Sequence, residues 1–315
     1  MRTLHLFAVP RHRPLALLAA GLLAGGALLS RPTSGAAWGD YGHRLVGAAA
    51  AAALPTEMPE FFRRASAQLS YLNPEPDRWR ERAEREIDPA LDGATAPEHF
   101  IDSDLIPADR LAGALAAPNR FAYADTLRTL GLAPVTVGLL PFRIIELTQQ
   151  LRSDFRRWRT APDSTTRAWI EQRIVDDAGI LGHYVADGSN PTHTSKYFNG
   201  WVGDNPNGYT TDHTFHSRFE SVFVQAQVKS DVVTPLVGRT PQVVEQLRPA
   251  VQAYLRRSNG ELTRLYDLEK TSSFTAANAD PAHVRFAAER LADGATMLRD
   301  LWWTAWVTSG VPVTK

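Results

Sequence analysis

The chain of 315 residues reads as all-α, a single compact multi-helix domain. Three observations carry this. No stretch of any length alternates apolar and polar residues as a half-buried strand would. Apolar residues recur instead at three- and four-residue intervals in several long segments. Two of those segments open on helix-capping residues, Asp163 and Asp280, and Pro281 follows the second at the first turn.

Taken in order, residues 1–37 read as a signal peptide. Arg2, Arg11 and Arg13 precede an apolar run from Leu15 to Leu29, and Gly35-Ala36-Ala37 supplies small residues before a cut. That run is shorter than the ~20 residues a bilayer span needs; a retained amino-terminal anchor is the alternative. With no cysteine in the chain, a lipid-anchoring lipobox and a disulfide framework are both excluded. The expectation is an exported protein, periplasmic or extracellular, whose one domain is residues 38–315.

Trp38-Gly39-Asp40-Tyr41-Gly42-His43 opens that domain, and an alanine-rich helix runs from His43 to about Leu54, stopped by Pro55. Pro59 to Leu72 carries Phe61, Phe62, Ala65, Leu69 and Leu72 at helical spacing. Asn73-Pro74-Glu75-Pro76-Asp77 is a turn-rich break, and Asp77 is placed to cap the charged segment through Glu86. Leu105 to Leu140 mixes short helices with loops. Pro141–Trp158 and Asp163–Asp187 are long amphipathic helices, and Tyr197 to Thr211, with three glycines and Pro206, is a loop. Helices resume over His213–Val228, Pro241–Arg257 and Pro281–Val307. Neither internal repeats nor a dividing linker interrupt them.

Composition narrows the function classes. Loss of the leader removes four arginines and no acids, leaving 30 basic against 34 acidic residues. Such a balance gives no electrostatic footprint for tight nucleic-acid binding. It does not exclude a nuclease that grips its substrate through metals.

Metal-ligand chemistry is concentrated between Gly182 and Glu220. His183 and Asp187 are four apart, and His216 and Glu220 repeat the spacing. Residues four apart on a helix bring their Cβ atoms to about 5–6 Å on one face. In a continuous helix His193 would lie about 15 Å along the axis from His183. Asn190 precedes Pro191 and is pushed out of the α region, so the chain can turn His193 back toward the pair. Imidazole with carboxylate suits zinc. Upstream, His99 precedes the apolar pair Phe100-Ile101, followed by Asp102 and Asp104, which could orient a ligand histidine or simply face water. Tyr197, Phe198, Trp201 and Tyr209 could stack a base, line a choline or acyl pocket, or anchor their loop.

Trp38-xxxx-His43, Asp77, His99-Phe100-Ile101-Asp102, His183-xxx-Asp187-xxxxx-His193 and His216-xxx-Glu220, in this order, resemble the superfamily of zinc-dependent phospholipases C and single-strand-specific zinc nucleases. The last helix, with Trp302 and Trp303, looks like that family's last helix. The match spans most of residues 38–315; Asp77 is its loosest member, because Glu75 is near by. The resemblance implies three zinc ions in one helical domain. Asp77, His99, His183 and Asp187 would hold one. The Trp38 amine and carbonyl with His43 would hold another, bridged by Asp187. His193, His216 and Glu220 would hold the third. His213 and His283 are left unclaimed.

The implied activity is hydrolysis of a phosphodiester P–O bond by zinc-bound hydroxide, with Asp77 orienting the nucleophile. Three Zn²⁺ against three carboxylates keep the site positive for a phosphate, and the need for deprotonated ligands predicts loss of activity below about pH 5. Substrate class divides the family. Glu220, where the nucleases usually carry Asp, and the absence of their Gly-Gly-Asn stretch favour a phospholipase C. The five-residue step from Trp38 to His43 and the 23-residue step from His193 to His216 are nuclease spacings. The expectation is a phospholipase C-type enzyme in transient contact with a membrane surface, with no stable protein partner. A single-strand-specific nuclease/3'-nucleotidase and a non-catalytic zinc-binding protein are the alternatives.

Overall fold

The computed structural model describes residues 38–311, so the expected signal peptide lies outside the described residues. Every regular element among them is helical. The architecture is carried by α1 (Gly39–Ala52), α2 (Ser66–Leu72), α3 (Leu140–Arg159), α4 (Ser164–Ser189), α5 (Leu247–Gly260), α6 (Leu262–Thr271) and α7 (Pro281–Ser309). Helices α4 and α7 form the centre, each packed against α1, α3 and the other. Helix α2 closes on α1 and α4, and α5 on α3 and α4. No helix among the described residues is long and apolar enough to cross a membrane.

The caps behave as the sequence predicts. Asp163 accepts from the Thr166 amide at 2.8 Å, and Asp280 accepts from the Ala282 amide at 2.7 Å. Each satisfies an amide that the first helical turn leaves without a partner. Trp302 on α7 packs edge-on against Phe62, and its indole donates to the Ala178 carbonyl of α4 at 3.2 Å.

Helix α4 decides where the chemistry sits. Its amino-terminal turns are amphipathic, but every residue from Leu181 to Ser189 is buried. A helix end enclosed on all sides must pair whatever polar groups it carries, and this one carries His183 and Asp187. Close approach of its neighbours depends on glycine. A Cβ on Gly179 would stand 2.4 Å from Leu72 Cβ, and one on Gly182 would stand 2.3 Å from Asn73 Nδ2.

Several boundaries differ from the expected ones. The helix expected over Pro59–Leu72 is two, Glu60–Arg64 and α2, separated by Ala65, which leaves helical geometry at φ −80°, ψ 10°. An apolar stripe continues through such a break and cannot reveal it. The segment expected to be helical from Pro241 begins only at Leu247. Before it, the Gln242 amide donates to Asp300 Oδ1 and the Val244 amide to Thr304 Oγ1, so side chains of α7 hold the non-helical lead-in. Helix α6 was not expected at all. The His213–Val228 helix starts at Phe215, contains a π-helical turn over Arg218–Phe223, and ends at Gln227. Asp77 does not cap the charged segment: it lies inside the turn Glu75–Arg78, and Glu81 precedes the short helix Arg82–Ile87.

Candidate metal centre

The buried end of α4 gathers donors from five other parts of the chain. Asp187 is the hub. Its Oδ1 lies 3.5 Å from His43 Nε2 on α1, and its Oδ2 lies 3.2 Å from His99 Nδ1 and 3.3 Å from His183 Nε2. The two oxygens of one carboxylate thus face different imidazoles. Asp77 Oδ1 stands 3.8 Å from both His99 Nδ1 and His183 Nε2, whereas Glu75 turns away to pair with Arg78 at 2.6 Å.

His193 sits on a 3-10 turn, Pro191–Thr194, after Asn190 adopts extended backbone at φ −85°, ψ 118°. The break before Pro191 does what its residues predict. His193 Nε2 lies 3.2 Å from His216 Nε2 and 3.5 Å from Glu220 Oε2, and His216 Nε2 reaches Glu220 Oε2 at 2.7 Å. The π-helical turn carries Glu220, a local widening frequent at functional sites.

Three groups of buried donors result: His43, His183 and Asp187; Asp77, His99 and His183; His193, His216 and Glu220. Within each, candidate ligand atoms lie within 4.8 Å of one another. Asp77 Oδ2, Asp187 Oδ1 and Glu220 Oε1 are buried without a hydrogen-bond partner. Buried acceptors converging without donors are costly, and a cation held between them removes that cost. The donor set fits metal ions.

Trp38 is placed otherwise than its expected role suggests. Its main-chain nitrogen donates to Glu220 Oε2 at 3.1 Å, in the group of His193 and His216 rather than beside His43. Its carbonyl accepts from the Gly42 amide at 3.0 Å, and its buried indole donates to the Ala186 carbonyl at 2.8 Å. The residue adopts a left-handed backbone, φ 43°, the sole non-glycine residue among those described to do so. Such strain costs on the order of 1–3 kcal/mol and collects at functional sites.

Orienting partners fix the imidazoles, and the sequence did not reveal them. His193 Nδ1 donates to the main-chain carbonyl of His99 at 2.7 Å, and the Ile101 amide returns a bond to the His193 carbonyl at 2.9 Å. His183 Nδ1 donates to the Asn73 carbonyl at 3.0 Å, and His43 Nδ1 to Asn73 Oδ1 at 3.1 Å. In each the Nε2 lone pair is left for the cluster. The signal for Asn73 was a polar residue at the end of an apolar stripe, easily taken for ordinary turn chemistry.

Asp104, one of the two acids that could orient a ligand histidine or face water, instead accepts from Ser195 Oγ at 2.6 Å and the Lys196 amide at 2.9 Å. It tethers the chain just past His193. Asp102 is buried, and desolvation together with the nearby Asp104 pushes its carboxyl up to about 7.

Burial also sets the charge states around the hub. It holds the His99 and His183 imidazoles well below their usual range, reinforced by Arg80 for the first and by His43 and His99 for the second. Neutral imidazoles are the form that ligates metal. Burial lifts Asp187 well above the carboxylate range and pushes Asp77 up to about 7, with Arg80 opposing. Burial works against the charged forms of Glu220 and His193 too, but there the neighbours prevail. His216 and His193 hold Glu220 low, and Asp187 and Glu220 raise His193.

The loop aromatics divide. Tyr197 stacks on Trp201 at 4.1 Å, and Trp201 and Tyr209 both pack against Tyr266 of α6, so these three anchor the loop. Phe198 does not: 46% exposed, its ring stands edge-on to His216 at 5.9 Å. His213 is exposed, with Nδ1 at 3.2 Å from the Asn199 carbonyl, and His283 is buried against the Leu268 and Ser272 carbonyls. No family model, curated protein or solved structure matches the chain.

Proposed function

We propose that this protein is an exported zinc-dependent phosphodiesterase of the phospholipase C/single-strand nuclease kind, acting on phospholipids. The observation that carries the proposal is Asp187, one buried carboxylate whose oxygens face His43 on one side and His99 and His183 on the other. That arrangement suits a carboxylate shared by two cations, as in two-metal sites where the ions lie about 3.5–4 Å apart. Asp77, His99, His183 and Asp187 would hold one zinc, and His43 with Asp187 a second. His193, His216 and Glu220 would hold the third. When bound, zinc supplies Lewis acidity for the attacking water and positive charge for the phosphate.

The chain's own groups do the rest. Asp77, whose Oδ2 is buried without a hydrogen-bond partner, would accept a hydrogen bond from the attacking water and so orient it. Nucleic acid favours a basic groove, but the arginines beside the cluster are spoken for. Arg78 pairs with Glu75 and Arg80 with Asp92. The same segment, between Asp77 and His99, exposes Trp79, Ile87 and Leu91, apolar surface suited to a zwitterionic lipid face. Phe198 supports the second reading, a single-strand nuclease/3'-nucleotidase, since an exposed ring beside His216 can stack a base.

The test uses the secreted form after amino-terminal sequencing and zinc analysis. Hydrolysis of phosphatidylcholine is expected; cleavage of single-stranded DNA instead selects the second reading. Three bound zincs with neither substrate cleaved identify a non-catalytic zinc protein. His183→Ala should lose metal and turnover together, and retained activity in that variant would refute the ligand assignment.

A further inference from the structure

We infer that Asn73 is a positioning residue that, through its side chain alone, governs occupancy of one metal position, the one at His43 and Asp187. The inference rests on the zinc reading above. Asn73 is fully buried at the junction between α2 and Pro74, and it holds two imidazoles with two different atoms. Its side-chain Oδ1 accepts from His43 Nδ1 at 3.1 Å, while its main-chain carbonyl accepts from His183 Nδ1 at 3.0 Å. The two rings stack on each other, centroids 4.1 Å apart and 14° from parallel. One residue therefore fixes the tautomer and tilt of a pair of ligands on separate helices.

The slot for this amide is built from both helices. A Cβ on Gly47 of α1 would lie 3.1 Å from Asn73 Nδ2, and one on Gly182 of α4 would lie 2.3 Å from it. Helix-interior glycine is unfavourable relative to alanine, so two such positions facing one amide mark a packing requirement. Asn73 Nδ2 makes no hydrogen bond, so the bond to His43 is what decides which way the amide faces. The ring nitrogen left over, His43 Nε2, points toward Asp187 Oδ1.

The division of labour makes the prediction asymmetric. Substituting the side chain removes the partner of His43 and leaves the main-chain carbonyl that holds His183. Loss of such an outer partner typically weakens metal binding 10–100-fold. Asn73→Ala should therefore bind two zincs at free-metal levels that load three into the parent protein. The third should return when free zinc is raised by about 10–100-fold. Asn73→Asp keeps an acceptor at the same place and should retain three. His43→Ala should lose the same ion, and adding Asn73→Ala to it should cost no further zinc.

The experiment is equilibrium dialysis of the full secreted protein against buffered zinc, with metal counted per chain. Circular dichroism of the metal-free forms checks folding. Three ions bound as tightly by Asn73→Ala as by the parent overturn the inference alone. Loss of all three ions in both Asn73→Ala and Asn73→Asp also overturns it, since that marks a purely structural role. A parent protein that binds no zinc sinks the zinc reading first and this inference with it. Should the alanine variant not fold, imidazole ¹⁵N shifts of the parent decide. A His43 ring protonated at Nδ1 supports the clamp, and one protonated only at Nε2 refutes it.

Discussion

Replacing Asp187 by Asn tests the hub directly, because the change keeps the shape and removes the charge. Its carboxylate touches His43, His99 and His183, members of two of the three donor groups, while His193, His216 and Glu220 form a group without it. In the three-zinc reading, two ions lose a ligand and one does not. Free metal at one hundred times Kd stabilises a protein by about 2.7 kcal/mol per site. A chain of roughly 270 described residues, at about 2.1 cal/mol/K per residue, unfolds with an entropy near 0.6 kcal/mol/K. Each occupied site then raises Tm by about 5 °C, so zinc should add about 14 °C to the parent and about 5 °C to Asp187→Asn.

Without metal the sign reverses. Burial holds the Asp187 carboxyl well above the usual range, so its charged form is a cost in the apo protein above the ordinary carboxylate pKa. Asp187→Asn removes that cost, and the metal-free variant should melt at or above the parent at pH 8. Differential scanning calorimetry in chelator and in buffered zinc reads both effects. A variant that keeps the full zinc shift, or melts lower than the parent in chelator, would refute the shared-carboxylate argument.

Three further outcomes are expected. Asp154, buried between α3 and α4 beside Asp177, is pushed up to about 7 by burial and then by that neighbour. A folded pKa above the unfolded ~3.9 means the proton is bound more tightly in the folded state; the associated stability is complete below about pH 4 and lost as pH rises toward 7. Asp154→Asn should therefore stabilise the protein at pH 8, by an amount that solvent screening and the Arg173 pair hold to about 1–2 kcal/mol, and leave it unchanged at pH 4, as urea titrations at the two pH values would record. Phe198→Ala should weaken single-strand binding by about 1–3 kcal/mol, seen as a raised KM, if bases stack there. Phosphatidylcholine turnover should not move, and equal losses on both substrates would count against a stacking role. Gly138→Ala puts a Cβ 2.1 Å from the Phe100 carbonyl at a backbone φ of 94°. It should cost about 1–3 kcal/mol and lower Tm measurably; an unchanged melting curve would contradict that geometry.

Sequence by itself determined the helical class, because 3.6-residue periodicity and caps such as Asp163 and Asp280 are written in local order. It also marked candidate donors: His183 with Asp187 and His216 with Glu220 are four-residue steps, and Pro191 follows the turn that returns His193. Tertiary structure decided what lies between distant segments. The separation of Glu75 from Asp77 turns on which carboxylate faces inward, and local composition offers both. Asn73 became an orienting group, and Asp104 a tether, only when helices met. The lead-in to α5 stayed out of the helix, with α7 side chains holding two of its amides. Periodicity reports which face of an element is apolar; which atom on another helix meets it depends on approach distances of a few ångströms, set here by Gly179 and Gly182.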